Sequence, residues 1–221
     1  MKLFIEAIVK LLLGILLVML LLFVPAGTIN YFNGWLFICL LFIPMFIAGL
    51  IMFSKNPDLL RRRLDNKEDE GEQKKVILYS GIMFILGFVI AGLNYRFKWI
   101  VLPDIVIIIS SNIFIISYVL YAIVLMENTY LSRTIKVDDN QKVVDTGLYG
   151  IVRHPMYAVT IFLFLSIPLI LGSIISFVIF LIYPFLIVKR IKNEESVLER
   201  ELNGYIEYKN KVKYRLIPFI W

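Results

Sequence analysis

Long apolar runs alternate with short charged stretches along this chain. The runs fall at about Ile8–Val24, Gly34–Phe53, Val76–Leu93, Ile100–Leu125, Met156–Leu171 and Ile174–Val188. Most approach or exceed the roughly 20 residues that a helix needs to cross a bilayer. None shows the strict two-residue alternation of a transmembrane β-strand. The pattern therefore predicts an all-α, polytopic integral membrane protein with about six transmembrane helices. The last two runs are short and are parted only by Gly172-Ser173, with Pro168 just before the turn. They read as a tight helical hairpin, one that need not cross fully.

The segments between the runs are amphipathic rather than merely polar. In the loop 54–75, Asn56 or Asp58 is placed to cap a short helix with Pro57 near its start. Leu59, Leu60 and Leu64 would share one face and Arg61, Arg62 and Arg63 the rest. The composition favours a helix lying in the membrane interface, and a grip for an anionic lipid substrate is the other reading. Residues 67–75 read as a charged linker. After residue 188, Leu198, Leu202, Tyr205 and Tyr208 recur at three- and four-residue spacing, an apolar stripe on a cytoplasmic helix.

Composition agrees with this pattern: 60% of the 221 residues are hydrophobic, against about half in soluble domains. The charge is lopsided. With the N-terminus inside, all but two of the 23 Lys and Arg fall on the inner side, and Arg96 and Lys98 alone lie outside. The positive-inside rule then puts both termini in the cytoplasm. The net charge of +6 needs no nucleic acid to explain it. Pro25-Ala26-Gly27 is too weak a cleavage site to make the first run a signal peptide. The chain divides at about residue 125: 1–125 as membrane helices, 126–221 as the region that carries chemistry.

That chemistry is concentrated in two clusters. The first is Gly147-Leu-Tyr149-Gly-Ile-Val-Arg153-His154-Pro155-Met156-Tyr157. Pro155 is suited to open a helix, so His154 sits at a helix mouth that favours anions and acceptors. Arg153 adds a full positive charge, and Tyr149 and Tyr157 supply flat rings with polar tips. The second cluster is Arg190-Ile-Lys-Asn-Glu194-Glu195. Arg190 and Glu194, four apart, share a helix face. They read either as an intrahelical salt bridge or as groups serving a cofactor. Glu195 points off that face, toward the loop. Other chemistry is excluded. Cys39 and His154 are the only cysteine and histidine, so no disulfide forms within the chain and a multi-histidine metal site is not expected. The chain has no Gly-x-Gly-x-x-Gly, no P-loop and no Gly-x-Ser-x-Gly elbow. Charge within the runs is too scarce for an ion pump.

The combination Gly147-x-Tyr149-x-x-x-Arg153-His154-Pro155-x-Tyr157 with Arg190-x-x-x-Glu194-Glu195-x-x-Leu198 resembles the isoprenylcysteine carboxyl methyltransferase family. Tyr205-x-x-Tyr208-x-x-Lys211-Val212-x-x-x-Leu216-Ile-Pro218 extends the likeness, which covers about residues 130–221. The resemblance implies a membrane-embedded methyltransferase that uses S-adenosyl-L-methionine without a Rossmann domain, is related to phospholipid methyltransferases and has a lipid-linked or hydrophobic acceptor. It implies that Gln141, Lys142, Val143 and Val144 line the adenosine site. Gly147, Tyr149, Arg153, His154, Pro155, Met156 and Tyr157 would wall the cofactor, Glu194 would hold it and Arg190 would face the acceptor. A carboxylate acceptor needs no base and would be oriented by Arg190. An amine or thiol would draw on His154 or Glu195. One departure is Val159, where the family often has glycine. Two other functions compete: an NADPH-dependent membrane reductase of a steroid-like or enone lipid, and a non-enzymatic transporter or assembly factor.

Overall fold

The computed structural model describes residues 2–65, 71–132, 134, 137 and 141–221. Among these residues every regular element is helical: α1 (Lys2–Ala26), α2 (Phe32–Lys55), α3 (Pro57–Leu64), α4 (Gly71–Phe97), α5 (Asp104–Glu127), α6 (Pro155–Ile170), α7 (Ile174–Phe180), α8 (Tyr183–Glu201) and α9 (Tyr205–Lys211), with a 3-10 turn at Gly147–Gly150 before α6. Five stretches are long and apolar enough to cross a membrane: α1, α2, α4, α5 and the combined run Ile174–Glu201. The apolar α6 is shorter and has 16 residues. The expected six spans thus resolve into five of crossing length plus one shorter helix. Leu12, Leu13, Leu16, Leu17 and Leu20 are exposed along α1. Such a continuous apolar face suits lipid, not water, and the architecture is that of a multi-pass integral membrane protein.

Polar contacts gather at the two ends of the bundle. At one end Tyr31 donates to the Leu171 carbonyl (2.5 Å), Tyr95 to that of Asn30 (2.6 Å) and Asn94 to those of Ile100 (2.9 Å) and Gly172 (3.2 Å). This pins the Gly172-Ser173 turn between α6 and α7. At the other end Lys10 reaches the Leu64 carbonyl, Arg62 that of Thr129, and Lys189 pairs with Glu72. Between the ends the packing is apolar and close. Gly92 lets α4 meet α1: a Cβ there would come within 2.5 Å of the Leu22 carbonyl oxygen.

Two elements differ from the sequence pattern. The last apolar run does not stop at Val188. Pro184 lacks a donor and offsets the chain between α7 and α8, and α8 then continues unbroken to Glu201. Arg190, Glu194 and Glu195 therefore ride on the extension of the membrane run itself. The expected linker 67–75 is also shorter, since residues 71–75 already form the first turns of α4. Its remaining residues, 67–70, lie outside the described set. The cap at α3 is as expected: the Asn56 carboxamide accepts from the Leu59 amide (3.1 Å), Pro57 follows it, and Leu59 and Leu60 are buried.

Candidate functional site

The backbone before α6 is fixed from outside the helix. Arg153 and His154 donate their amides to the carbonyls of Tyr214 and Arg215 (both 2.9 Å), so the chain after α9 runs alongside them. His154 is the residue before Pro155, which disfavours helix for it, and it becomes the N-cap of α6. Gly147 has φ +54°, and a Cβ there would overlap the Glu127 carboxylate. The same carboxylate accepts from the Leu148 amide at 3.0 Å. This close approach ties the 3-10 turn to the end of α5.

Glu195 lies beneath this turn and is buried. Arg153 Nε donates to its Oε1 at 2.8 Å, Arg215 Nε to its Oε2 at 2.8 Å, and His154 Nε2 lies 3.3 Å from Oε1. Arg153 Nη1 also donates to the carbonyls of Val212 (2.7 Å) and Lys213 (2.8 Å). One carboxylate thus ties α8, the α6 mouth and the chain after α9 together. Burying these charges is tolerable because each is met by opposite charge and hydrogen bonds.

The adjoining face of α8 carries the second constellation. Arg190 Nε donates to the Tyr157 hydroxyl at 2.8 Å, and that hydroxyl donates to Glu194 Oε2. The guanidinium carbon sits 5.8 Å from the centre of the Tyr157 ring, and the His154 ring stacks on the same tyrosine at 5.8 Å. Arg190 and Glu194 are therefore joined through Tyr157 instead of pairing directly along the helix.

These groups open on a cavity of about 800 Å3, its open mouth included. Gln141, Lys142, Val143 and Val144 line one wall. Tyr149, Arg153, His154, Met156 and Tyr157 line another, and Arg190 and Glu194 a third. Of the residues singled out from sequence, Gly147, Pro155 and Glu195 do not line it. Gly147 packs on Glu127, Pro155 starts the helix, and Glu195 is turned away under its arginines, toward the loop as its spacing predicts.

Two parts of the lining carried no such expectation. One is the segment after α5, with Asn128, Tyr130 and Ser132 among its contributions. It has neither periodicity nor a chemical motif, and only the fold brings it here. The other is Leu198, Leu202, Tyr205 and Tyr208. Their stripe was expected on one helix, but Gly204, at φ +84°, parts it between the end of α8 and α9, and Leu202, Tyr205, Tyr208 and Val212 pack with Val137 and Val143 into a small second core below the cavity.

The tyrosines keep their protons. Burial pushes the Tyr149 phenol up, with Glu194 and Glu127 adding to it against the lowering effect of Asn128. Burial likewise raises Tyr205, followed by the charges of Glu195 and Glu194. Tyr208 is raised mainly by burial and donates to the Tyr149 carbonyl at 2.8 Å. The hydroxyls of Tyr149 and Tyr205 are buried with no hydrogen-bond partner among the described residues, although the Asn128 side chain lies beside the first. An unsatisfied buried phenol costs about 1–3 kcal/mol. At the rim the Lys211 ammonium, 2.7 Å from Asp145, holds that carboxyl below its ordinary range. No group of three or more His, Cys, Asp or Glu able to hold a metal occurs among the described residues.

No curated protein matches the chain. Residues 106–200, from α5 through nearly all of α8, match the Isoprenylcysteine carboxyl methyltransferase (ICMT) family. This stretch holds the Arg153-His154-Pro155 turn, Tyr157, Arg190, Glu194 and Glu195, while the chain from Glu201 onward lies beyond it. The stretch that resembles this family thus runs from α5 nearly to the end of α8, within a multi-pass helical membrane architecture.

Proposed function

We propose that the protein is an S-adenosyl-L-methionine-dependent methyltransferase acting on a lipid-linked or hydrophobic acceptor through a carboxylate. The observation that carries this reading is the Arg190–Tyr157–Glu194 chain facing a cavity lined mostly by residues of the stretch that resembles the family. The cavity suits the cofactor's chemistry. Val143, Val144, Leu198 and Leu202 offer an apolar slab for a purine. Glu194 supplies negative charge for a cationic or hydroxyl-bearing ligand. When bound, the cofactor supplies an electrophilic methyl on a sulfonium.

The chain's own residues then orient and shield. Glu194 and the walls formed by Tyr149 and Tyr205 hold the cofactor side. Arg190, fixed at Nε by Tyr157, presents its guanidinium to an acceptor carboxylate. A carboxylate is ionised at neutral pH and needs no base, so the work left is alignment and exclusion of water. Glu195, held by Arg153 and Arg215, fixes the α6 mouth instead of moving protons. His154 serves as a wall stacked on Tyr157. On the same reading the cavity lies at the cytoplasmic face, both termini are cytoplasmic, and the acceptor enters from the bilayer.

The test uses membranes that contain the protein and methyl-labelled S-adenosylmethionine. A carboxyl methyl ester releases labelled methanol on mild alkali, whereas a methylated amine or thioether does not. Base-labile label in the lipid-soluble fraction is expected, lost in Arg190→Ala. Base-stable label would overturn the carboxylate acceptor. The family match lends nothing to a reductase or a transporter, and NADPH binding in place of S-adenosylhomocysteine would restore the former.

A further inference from the structure

A second cavity lies between α1, α2, α3 and α5. It measures about 1260 Å3 with its open side included, and its lining is mostly apolar. Small side chains create the space: Gly14, Ala48, Gly49 and Ala122 line it, and a Cβ at Gly49 would meet nothing within 4 Å. Phe46 and Leu50, on its margin, are exposed, so the cavity is a groove open toward the lipid face. Its lining runs from Phe4 to Gly14 on α1 and from Phe42 to Phe53 on α2. At 1.5 Å per residue each run is about 15 Å long, half of a hydrocarbon core of about 30 Å and therefore one leaflet.

Two cations interrupt this apolar wall, Lys10 and Arg63. Lys10 is 2.7 Å from Glu6 and 2.7 Å from the Leu64 carbonyl. The half-buried Arg63 is less well matched. It donates to the Tyr121 hydroxyl and, at 3.4 Å, to the Ser132 carbonyl, and it lies over the Tyr121 ring. Among the described residues none of its partners is a carboxylate. A guanidinium removed from water and met only by neutral acceptors keeps most of its attraction for an anion.

We propose that this groove binds an anionic phospholipid, with one acyl chain along α1 and α2 and the phosphate held by Arg63 and Lys10. The lipid face supplies the chain and the paired cations select the charge. A zwitterionic lipid carries the same phosphate but brings a quaternary ammonium beside Lys10, which disfavours it. The site extends beyond the methyl-transfer reading and does not depend on it. It bears on the first cavity through α3, because Arg62 donates to the Thr129 carbonyl at 2.8 Å and its guanidinium lies over Tyr130. A lipid on Arg63 would steady the segment whose Tyr130 and Ser132 line that cavity.

The experiment extracts the full chain from bilayers of equal parts phosphatidylglycerol and phosphatidylcholine and weighs the retained lipid by native mass spectrometry. Wild type is expected to retain phosphatidylglycerol at least tenfold over phosphatidylcholine. Arg63→Gln should bring the ratio near parity. Gly49→Trp, which fills the groove, should lose both lipids, with Gly49→Leu as a milder filling variant. Folding is read independently from thermal melting and monodisperse elution. Parity in the wild type, selectivity unchanged by Arg63→Gln, or lipid retained by folded groove-filled variants would each overturn the site. No arm uses the methyl donor, so the result leaves the catalytic reading untouched.

Discussion

The Tyr157 hydroxyl connects the two charged residues most concerned with function. It accepts from Arg190 and donates to Glu194, so Tyr157→Phe should unlink them without emptying the space. A charge-assisted hydrogen bond contributes about 1.5–3 kcal/mol, and we expect Tyr157→Phe to slow methyl transfer about 10- to 100-fold with melting unchanged. Arg190→Ala and Glu194→Ala should each cost at least as much, and wild-type rates in both would remove them from the site. Gly147 makes a different prediction. Its φ of +54° and its contact with Glu127 leave no room for a side chain, so Gly147→Ala should destabilise the protein by about 1–3 kcal/mol. A lowered melting temperature checks this, and an unchanged one contradicts it.

At the scale of elements, α8 organises the domain. The four-residue spacing of Arg190 and Glu194 made their common face legible in the sequence, and Glu195 was legible as pointing elsewhere. The Arg-His-Pro turn announced a helix start that the fold contains. Glu195's direction toward the loop was legible, but its three partners were not, because Arg153, His154 and Arg215 lie 42, 41 and 20 residues away in the chain. The wall after α5 was hidden for a similar reason: Asn128 to Ser132 have no periodicity and are placed by α3 and α5. Likewise Pro184 read as part of one apolar run, although it divides α7 from α8. Removing one partner from a buried ion cluster costs about 3–5 kcal/mol. Glu195→Gln should therefore unfold the domain at markedly lower temperature than Glu194→Gln, which faces the cavity. Equal melting of the two would show that Glu195 is not the tie.

For the whole molecule, hydrophobic length predicted the helices well and the number of spans less well, since α6 is packed against α5 and need not meet the full bilayer thickness by itself. The charge asymmetry predicts that the cavity end of the bundle, where Lys10, Arg62 and Lys189 make their contacts, faces the cytoplasm. Tags at either terminus should be protected in sealed right-side-out vesicles and digested in inverted ones. Digestion of a terminal tag in intact right-side-out vesicles would reverse the orientation.

The central claim is that the cavity framed by α6, α8 and α9 holds the methyl donor. Calorimetric titration of the purified chain with S-adenosylhomocysteine tests it most directly. Saturable binding of one ligand per chain is expected, at least tenfold weaker in Glu194→Ala and absent for NADPH. No binding, or equal affinity in wild type and folded Glu194→Ala, would contradict it.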